Sequence, residues 1–277
     1  MKKSLGQNFL SDPQILKKIA DFARIKKTDT VIEIGPGLGS LTKFLLERAR
    51  KVIAVEKDRE LVERLKKAKT ERLRIIQGDI LEFPLKMPIK GNYVLVGNIP
   101  YYITGEIFRK FLETENQPAS MTFVIQKEVA ERIMGSHSAK ASRDKKKESI
   151  LSLSIKAYGT PEYGGLIKAG SFSPAPKVDS AIIAIRNISK ERFLSPPTHS
   201  YSKRGQEEKI ITENEFFETI KKGFAHKRKF LRKNLGISEE IFPQLGFPKD
   251  VRAEDLTLEN WFAIIKACQA KRLSPFL

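Results

Sequence analysis

Thr30-Val31-Ile32-Glu33-Ile34-Gly35-Pro36-Gly37-Leu38-Gly39-Ser40 passes from a β-rich apolar run directly into three glycines spaced two apart. An amphipathic stretch, Leu41–Arg48, follows at once. A strand, a glycine turn and a helix in that order form the first half of a βαβ unit, and the glycines let the backbone approach a ligand closely. The dinucleotide fingerprint needs glycine at relative positions 1, 3 and 6. Here they fall at 1, 3 and 5, with an acid, Glu33, just before the first.

The same alternation continues outward. Lys51–Glu56, Leu73–Gln77, Tyr93–Gly97 and Met121–Gln126 are strand-like, and Glu60–Lys67 and Glu106–Leu112 between them have helical spacing. This spacing predicts a Rossmann-like α/β domain with a mostly parallel sheet. Ile150–Ala157 and Ser180–Arg186 are expected to close the sheet as further strands, with an antiparallel edge. Gly135–Glu148 is polar and basic and is expected to be a loop. Pro196-Pro197 lies in a stretch with little that could pack, so the expected division is a first domain over 1–188, a linker over 189–212 and a small all-helical domain over 213–277. Thr212 or Asn214 would cap its first helix, Glu213–Phe224. Lys227–Leu235 and Leu256–Ala270 would be the others.

Composition limits the function classes. The chain has 277 residues, of which 40% are hydrophobic, enough for a packed core. Its apolar runs are strand-sized and far short of the roughly 20 residues of a membrane span. The basic N-terminus has no apolar stretch after it, so no signal peptide is expected. The single cysteine, Cys268, permits no internal disulfide and reads as a core residue, which suits a cytoplasmic protein. The three histidines are scattered, and no metal site is expected. Lys and Arg number 51 against 33 acids, a net charge of +18, and a field of that size attracts polyanions, nucleic acid before membrane.

Two further acids place the ligand. Glu56 ends the second expected strand and can accept from both hydroxyls of a ribose. Asp79, after Gln77-Gly78, can accept from an adenine amino group. Open α/β sheets bind ligands at the C-terminal ends of their strands, where Glu33, Glu56 and Asp79 all lie. S-adenosylmethionine carries an ammonium and a sulfonium and no pyrophosphate, so it suits these carboxylates better than a nicotinamide dinucleotide does. The expected cofactor set includes Gly35 and Gly37.

The fourth strand ends in Gly97-Asn98-Ile99-Pro100-Tyr101-Tyr102. An adenine N6 is a poor nucleophile because its lone pair is delocalised. The Asn98 side-chain oxygen and the Ile99 carbonyl, holding its two hydrogens, would favour a pyramidal nitrogen aimed at a methyl donor. Pro100 would stiffen the turn, and Tyr101 offers a stacking face.

With these residues in view, nearly the whole chain resembles the ribosomal RNA adenine N6,N6-dimethyltransferases that modify two adjacent adenines in a hairpin near the 3′ end of small-subunit (16S) rRNA. The resemblance runs through Gln7-Asn8-Phe9-Leu10, Glu33–Gly39, Glu56, Gly78-Asp79, Asn98–Tyr101, Phe172–Ser180, Phe224–Leu231 and Arg252–Leu256. It implies that Gln7, Asn8 and Leu10 close a segment over the cofactor, that Ile80 and Asn98 join the cofactor set, and that Phe172 stacks on the target base opposite Tyr101. It also implies a base flipped into the pocket and an immature 30S subunit as partner; a monomer is expected. In the helical domain Lys227, Arg228, Lys229, Arg232 and Lys233 read as a cationic helix for phosphates, with Phe230, Leu231 and Leu235 inward. The macrolide-resistance (Erm) enzymes share the Asn-Ile-Pro-Tyr segment and act on large-subunit rRNA, but Pro36–Gly39 and Lys177–Ser180 lean toward the small-subunit enzymes. An RNA-binding assembly factor with methylation secondary is the other alternative. The region after Met134 departs from the family pattern, with Arg143–Glu148 placed before the next apolar run.

Overall fold

The computed structural model describes residues 8–68, 70–84, 93–135, 147–194, 210–238 and 240–270. The chain divides into two compact units, 1–131 with 159–188 and 132–158 with 189–277.

The first unit opens with a two-residue strand, β1 (Phe9–Leu10), and helix α1 (Pro13–Phe22). Asp12 caps α1 by accepting from the Gln14 and Ile15 N–H groups, and Pro13 sits where no N–H is needed. Then β2 (Thr30–Ile34), α2 (Ser40–Arg48), β3 (Lys51–Glu56), α3 (Arg59–Leu65), β4 (Leu73–Gln77), β5 (Tyr93–Asn98), α4 (Thr104–Leu112) and β6 (Ser120–Gln126) alternate. After α5 (Lys127–Met134), which runs into the second unit, the first unit resumes with β7 (Thr160–Ile167), the short β8 (Phe172–Ser173) and β9 (Ser180–Arg186).

Seven strands form one sheet in the order β4-β3-β2-β5-β6-β9-β7. The five from β2 to β6 run parallel to one another, and β9 is antiparallel to both β6 and β7. Every residue of β2 is buried, as a strand covered on both faces requires, which explains its unbroken apolar reading. The chain moves outward from β2 to β4 and then returns to place β5 on the other side of β2. That reversal is a topological switch point, where open sheets of this kind bind ligands.

The expected strand over Ile150–Ala157 is instead helix α6 (Ile150–Tyr158) of the second unit. Leu151, Leu153, Ile155 and Ala157 alternate like strand residues, but burial on nearly all sides hides the helical period. The start is fixed locally, since the Ser149 hydroxyl accepts from the Ser152 N–H at 3.1 Å. The sheet edge is supplied by β7, which bends at a bulge between Tyr163 and Gly165, where Gly165 takes φ +115°.

The second unit is otherwise α7 (Glu191–Leu194), α8 (Glu213–Gly223), α9 (Leu231–Leu235), α10 (Ile241–Gln244) and α11 (Leu258–Ala270). Thr212 caps α8, accepting from the Glu215 N–H at 3.2 Å. The stretch expected as linker packs at its described ends: Phe193 is buried against Tyr158, Phe216, Phe217 and Phe262, and Ile211 is buried too. Residues 132–158, expected in the first domain, group with this helical unit. Cys268 is buried, and burial pushes its thiol up from the ordinary range. Among the described residues no helix is long and apolar enough to cross a membrane.

Candidate functional site

A cavity of about 360 Å³ opens at the switch point. Its floor is the turn after β2, where Gly35, Gly37 and Gly39 take φ +62°, +58° and +79°. A side chain at any of the three would be strained there. Gly37 is also crowded, because a Cβ on it would lie 3.0 Å from the Phe9 ring.

Glu33, Glu56 and Asp79 all line this cavity, in three different hydrogen-bonding environments. Glu33 lies within β2 and is 1% exposed, and its Oε2 has no hydrogen-bond partner. Burial pushes its carboxyl up to about 8, and the nearby Glu56 charge adds to the effect. Glu56 is held on both oxygens, accepting from the Gly37 N–H at 3.1 Å and the Asp58 N–H at 2.9 Å. Each carboxylate oxygen keeps a second lone pair, so a ribose can still be bound. Asp79 accepts from Lys57 Nζ and from the Leu81 N–H, both at 2.9 Å, and these donors hold its carboxyl below the usual range. A buried carboxyl with one unpartnered oxygen, ready to ionise beside a cation, next to two pre-oriented carboxylates suits a ligand with a cationic tail, a ribose and an adenine amine. The residues present therefore fit S-adenosylmethionine.

Asn98 ends β5 in the same cavity, with Ile99, Pro100 and Tyr101 after it. Its Nδ2 donates to the Asn8 carbonyl at 2.8 Å. That bond fixes which end of the amide is the donor and leaves Oδ1 as an acceptor. The Tyr101 hydroxyl shares a 2.7 Å hydrogen bond with the Ser180 hydroxyl, which holds the ring by its far end. Asn8, Leu10 and Ile80 are also in the wall, and Gln7 lies outside the described residues.

Phe172 is placed differently from the expectation. It is 5% exposed and packs in the core with Leu10, Leu16, Ile19, Ile167 and Ile182, and it does not line the cavity. The reason is pairing: β1 and β8 are antiparallel, with Leu10 opposite Phe172 and Phe9 opposite Ser173. The expected cationic helix also changes form. His226–Lys229 are a turn, closed by the Lys229 N–H on the His226 carbonyl at 3.0 Å, and α9 begins only at Leu231. Lys227, Arg228 and Lys229 are exposed on that turn, Arg232 is half-buried and Lys233 exposed on α9. Three consecutive like charges favour a solvated turn over a helix packed on a neighbour, whereas Leu231 and Leu235 are buried as expected.

Reading the residues alone missed three participants: Phe9 over the glycine turn, the Asn8 carbonyl on Asn98, and Lys57 on Asp79. The first two depend on contacts far apart in the chain. Lys57 follows Glu56 directly and could have been noticed. Phe9→Ala is expected to raise the KM for S-adenosylmethionine about 10-fold, since burying an aromatic ring contributes about 1.5–3 kcal/mol, part of it here against the turn. Equilibrium binding of the cofactor checks this, and an unchanged affinity would mean the ring does not steady Gly37.

Residues 1–270 match the family described as ribosomal RNA adenine dimethylase. A Dehalococcoides mccartyi protein named ribosomal RNA small subunit methyltransferase A is 39% identical over 276 residues, covering 94% of this chain and 86% of its own. One of the same name from Fusobacterium nucleatum is 34% identical, covering 98% of both. Two solved structures share the fold: a dimethyladenosine transferase from Plasmodium falciparum (TM-score 0.73, 24% identity, 97% of this chain and 100% of that one) and the 23S rRNA methyltransferase ErmE (TM-score 0.71, 23% identity, 95% and 100%). With a cavity whose residues fit S-adenosylmethionine, an Asn-Ile-Pro-Tyr turn in its wall and sequence similarity along almost its whole length, the chain belongs to the ribosomal RNA adenine dimethylase family.

Proposed function

We propose that this protein transfers methyl groups from S-adenosylmethionine to the N6 atoms of two adjacent adenines near the 3′ end of small-subunit (16S) rRNA, two to each. The reading is carried by the Asn98 amide, pinned through Nδ2 by Asn8 so that Oδ1 is left to accept, in the same cavity as the three acidic side chains.

The cofactor, when bound, supplies a methyl group activated on a sulfonium. Glu33 would meet the cationic amino-acid end, Glu56 would take the ribose hydroxyls and Asp79 the adenine amine. Asn98 Oδ1 and the Ile99 carbonyl, in the wall of the same cavity, would accept the two hydrogens of the target N6 and so orient its lone pair for attack on the methyl group. Tyr101, tethered to Ser180, stacks on the flipped base. No side chain has to remove a proton before attack, because the nitrogen becomes cationic and acidic once it is methylated and can release its proton to water afterwards. Alignment supplies most of the acceleration.

The partner in this reading is an immature small subunit in the cytoplasm, met by a monomer, with Lys227, Arg228, Lys229, Arg232 and Lys233 on phosphates. Replacing Lys227, Arg228 and Lys229 together by Ala is expected to flatten the dependence of log affinity on log salt by about 2–3, at roughly 0.9 per lost phosphate contact. A co-sedimentation titration with small subunits across salt concentrations measures this, and an unchanged slope would remove that turn from the RNA interface. Functionally, the test is to offer S-adenosylmethionine with either ribosomal subunit lacking its adenine methylation. Acceptance by the small subunit supports the proposal. Acceptance by the large subunit alone would move the protein to an Erm-like role, and stable binding without transfer would leave an assembly factor.

A further inference from the structure

The helical unit contains a second cavity, of about 310 Å³, whose walls include Arg132, Leu151, Phe224, Lys227, Lys229 and Asn234. None of these residues belongs to the cofactor cavity. Three kinds of surface meet in it. Arg132, Lys227 and Lys229 bring positive charge to a single hollow, and the two acids that also line it, Glu148 and Glu254, are paired with Lys156 and Lys147. The half-buried Phe224 ring is held in place by Trp261, stacked at 5.8 Å between centroids and 22° between planes. Asn234, 9% exposed, uses its amide N–H groups on the Gly223 carbonyl at 2.6 Å and the His226 carbonyl at 3.1 Å, and its Oδ1 has no hydrogen-bond partner.

Buried polar contacts hold the scaffold around the cavity. Lys156 and Glu148 form an ion pair at 2.5 Å with both side chains at most 5% exposed. The Glu148 N–H donates to the Glu254 carbonyl at 2.7 Å. Gly135, at φ +49°, lies so close to the pair that a Cβ there would fall 2.8 Å from Glu148 Oε2. A buried ion pair of this kind fixes geometry more than it adds stability.

A solvated basic patch needs no hollow, no pre-held aromatic ring and no buried acceptor. A nucleotide out of its stack has a use for each: the phosphate for the cations, the base face for the ring, and an N–H on the base edge for an amide oxygen. The volume is that of a small-ligand site. We propose that this cavity takes one unstacked nucleotide of the bound RNA, distinct from the adenines being methylated. Its phosphate lies against Arg132, Lys227 and Lys229, and its base lies against Phe224 and Asn234. The inference rests on the rRNA reading above, and it makes Lys227 and Lys229 parts of a site where the sequence suggested only a charged surface.

Leu151→Trp fills the cavity without changing charge, and Lys221→Ala, which removes an exposed cation of α8 outside the cavity, is the control for general electrostatics. Each is mixed with unmethylated small subunits, and binding is measured together with base-specific chemical probing of the rRNA. Cofactor affinity and thermal melting establish that each variant is folded. Arg132→Ala is the second variant if Leu151→Trp melts early. The expected result is that wild type and Lys221→Ala protect one nucleotide outside the methylated pair. Leu151→Trp or Arg132→Ala loses that protection and binds at least 10-fold more weakly. Unchanged binding and protection in the cavity variants would overturn the proposal. So would weaker binding with no nucleotide altered, which would point to an acidic segment of a ribosomal protein as the occupant. Methyl transfer by the wild type in the same mixtures reports separately on the functional reading, so that failure of one is distinguishable from failure of the other.

Discussion

Asn98→Ala is expected to lower kcat by about 10²–10³-fold while leaving the affinity for S-adenosylmethionine within a few-fold of wild type. The range is that for removing one oriented polar group aimed at a reacting centre. The split between kcat and binding follows from the position of the residue. Its Oδ1 faces no protein partner among the described residues, while its Nδ2 is committed to Asn8 at 2.8 Å. The cofactor carboxylates are held by other groups: Glu56 by the Gly37 and Asp58 N–H groups, Asp79 by Lys57 and Leu81. Asn98→Asp sharpens the test. It keeps the shape but replaces the donor to Asn8 with a second acceptor facing a carbonyl, so it should be nearly as slow as Ala. Single-turnover kinetics with saturating cofactor and unmethylated subunits measure both. A kcat within a few-fold of wild type in Asn98→Ala would show that the amide does not orient the amine.

Glu33→Gln is expected to stabilise the cofactor-free protein and weaken cofactor binding. The folded chain holds the Glu33 proton up to about pH 8, and the unfolded chain releases it near 4.5. Because the unfolded state loses the proton first, stability falls as pH rises across that window. At pH 7 the cost is on the order of 3 kcal/mol, and Gln, which has no proton to lose, avoids it. Melting curves of the two proteins should converge near pH 4.5 and separate progressively up to pH 8, with Gln the more stable. Binding should move the other way. A cation in the cavity favours the ionised carboxylate, so wild-type affinity rises with pH until about 8 and then levels off. The variant lacks this dependence and binds about 10–100-fold more weakly, the range for losing a hydrogen bond to a charged group. Equal melting at pH 7 would mean that Glu33 is not held neutral; equal affinity would mean that it does not meet the cationic end of the cofactor. A residue that costs stability where it stands and gains on ligand binding is one that function retains.

Much of this was legible in the residues. Strands β2, β3, β5 and β6 are buried on both faces, and such strands appear as short unbroken apolar runs between turn residues. The three glycines marked the turn, and the acids at successive strand ends marked the cavity that Glu33, Glu56 and Asp79 line. What was not legible has physical causes. Helix α6 is so thoroughly buried that its apolar residues carry no helical period, and serines at alternate positions imitate a strand. The pairing of β1 with β8 joins residues more than 160 apart through two residues each, and nothing local announces it. Phe172 was assigned to the target base by resemblance, and only that pairing reveals it packed beside Leu10. The helical spacing of the flanking phenylalanines and leucines predicts a helix through Lys227–Lys229. The turn they form is closed by the backbone of His226 and Lys229 and by Asn234, whose side chain bonds the Gly223 and His226 carbonyls.

The central claim is tested most directly by nucleoside analysis after reaction. Unmethylated 30S and 50S subunits are incubated together with the protein and methyl-labelled S-adenosylmethionine, then separated, and their rRNA is digested and resolved by mass. The account predicts label in the small-subunit rRNA as N6,N6-dimethyladenosine at two adjacent positions, four methyl groups per subunit at completion. Label confined to the 50S fraction, or recovered in any nucleoside other than adenosine methylated at N6, would contradict it.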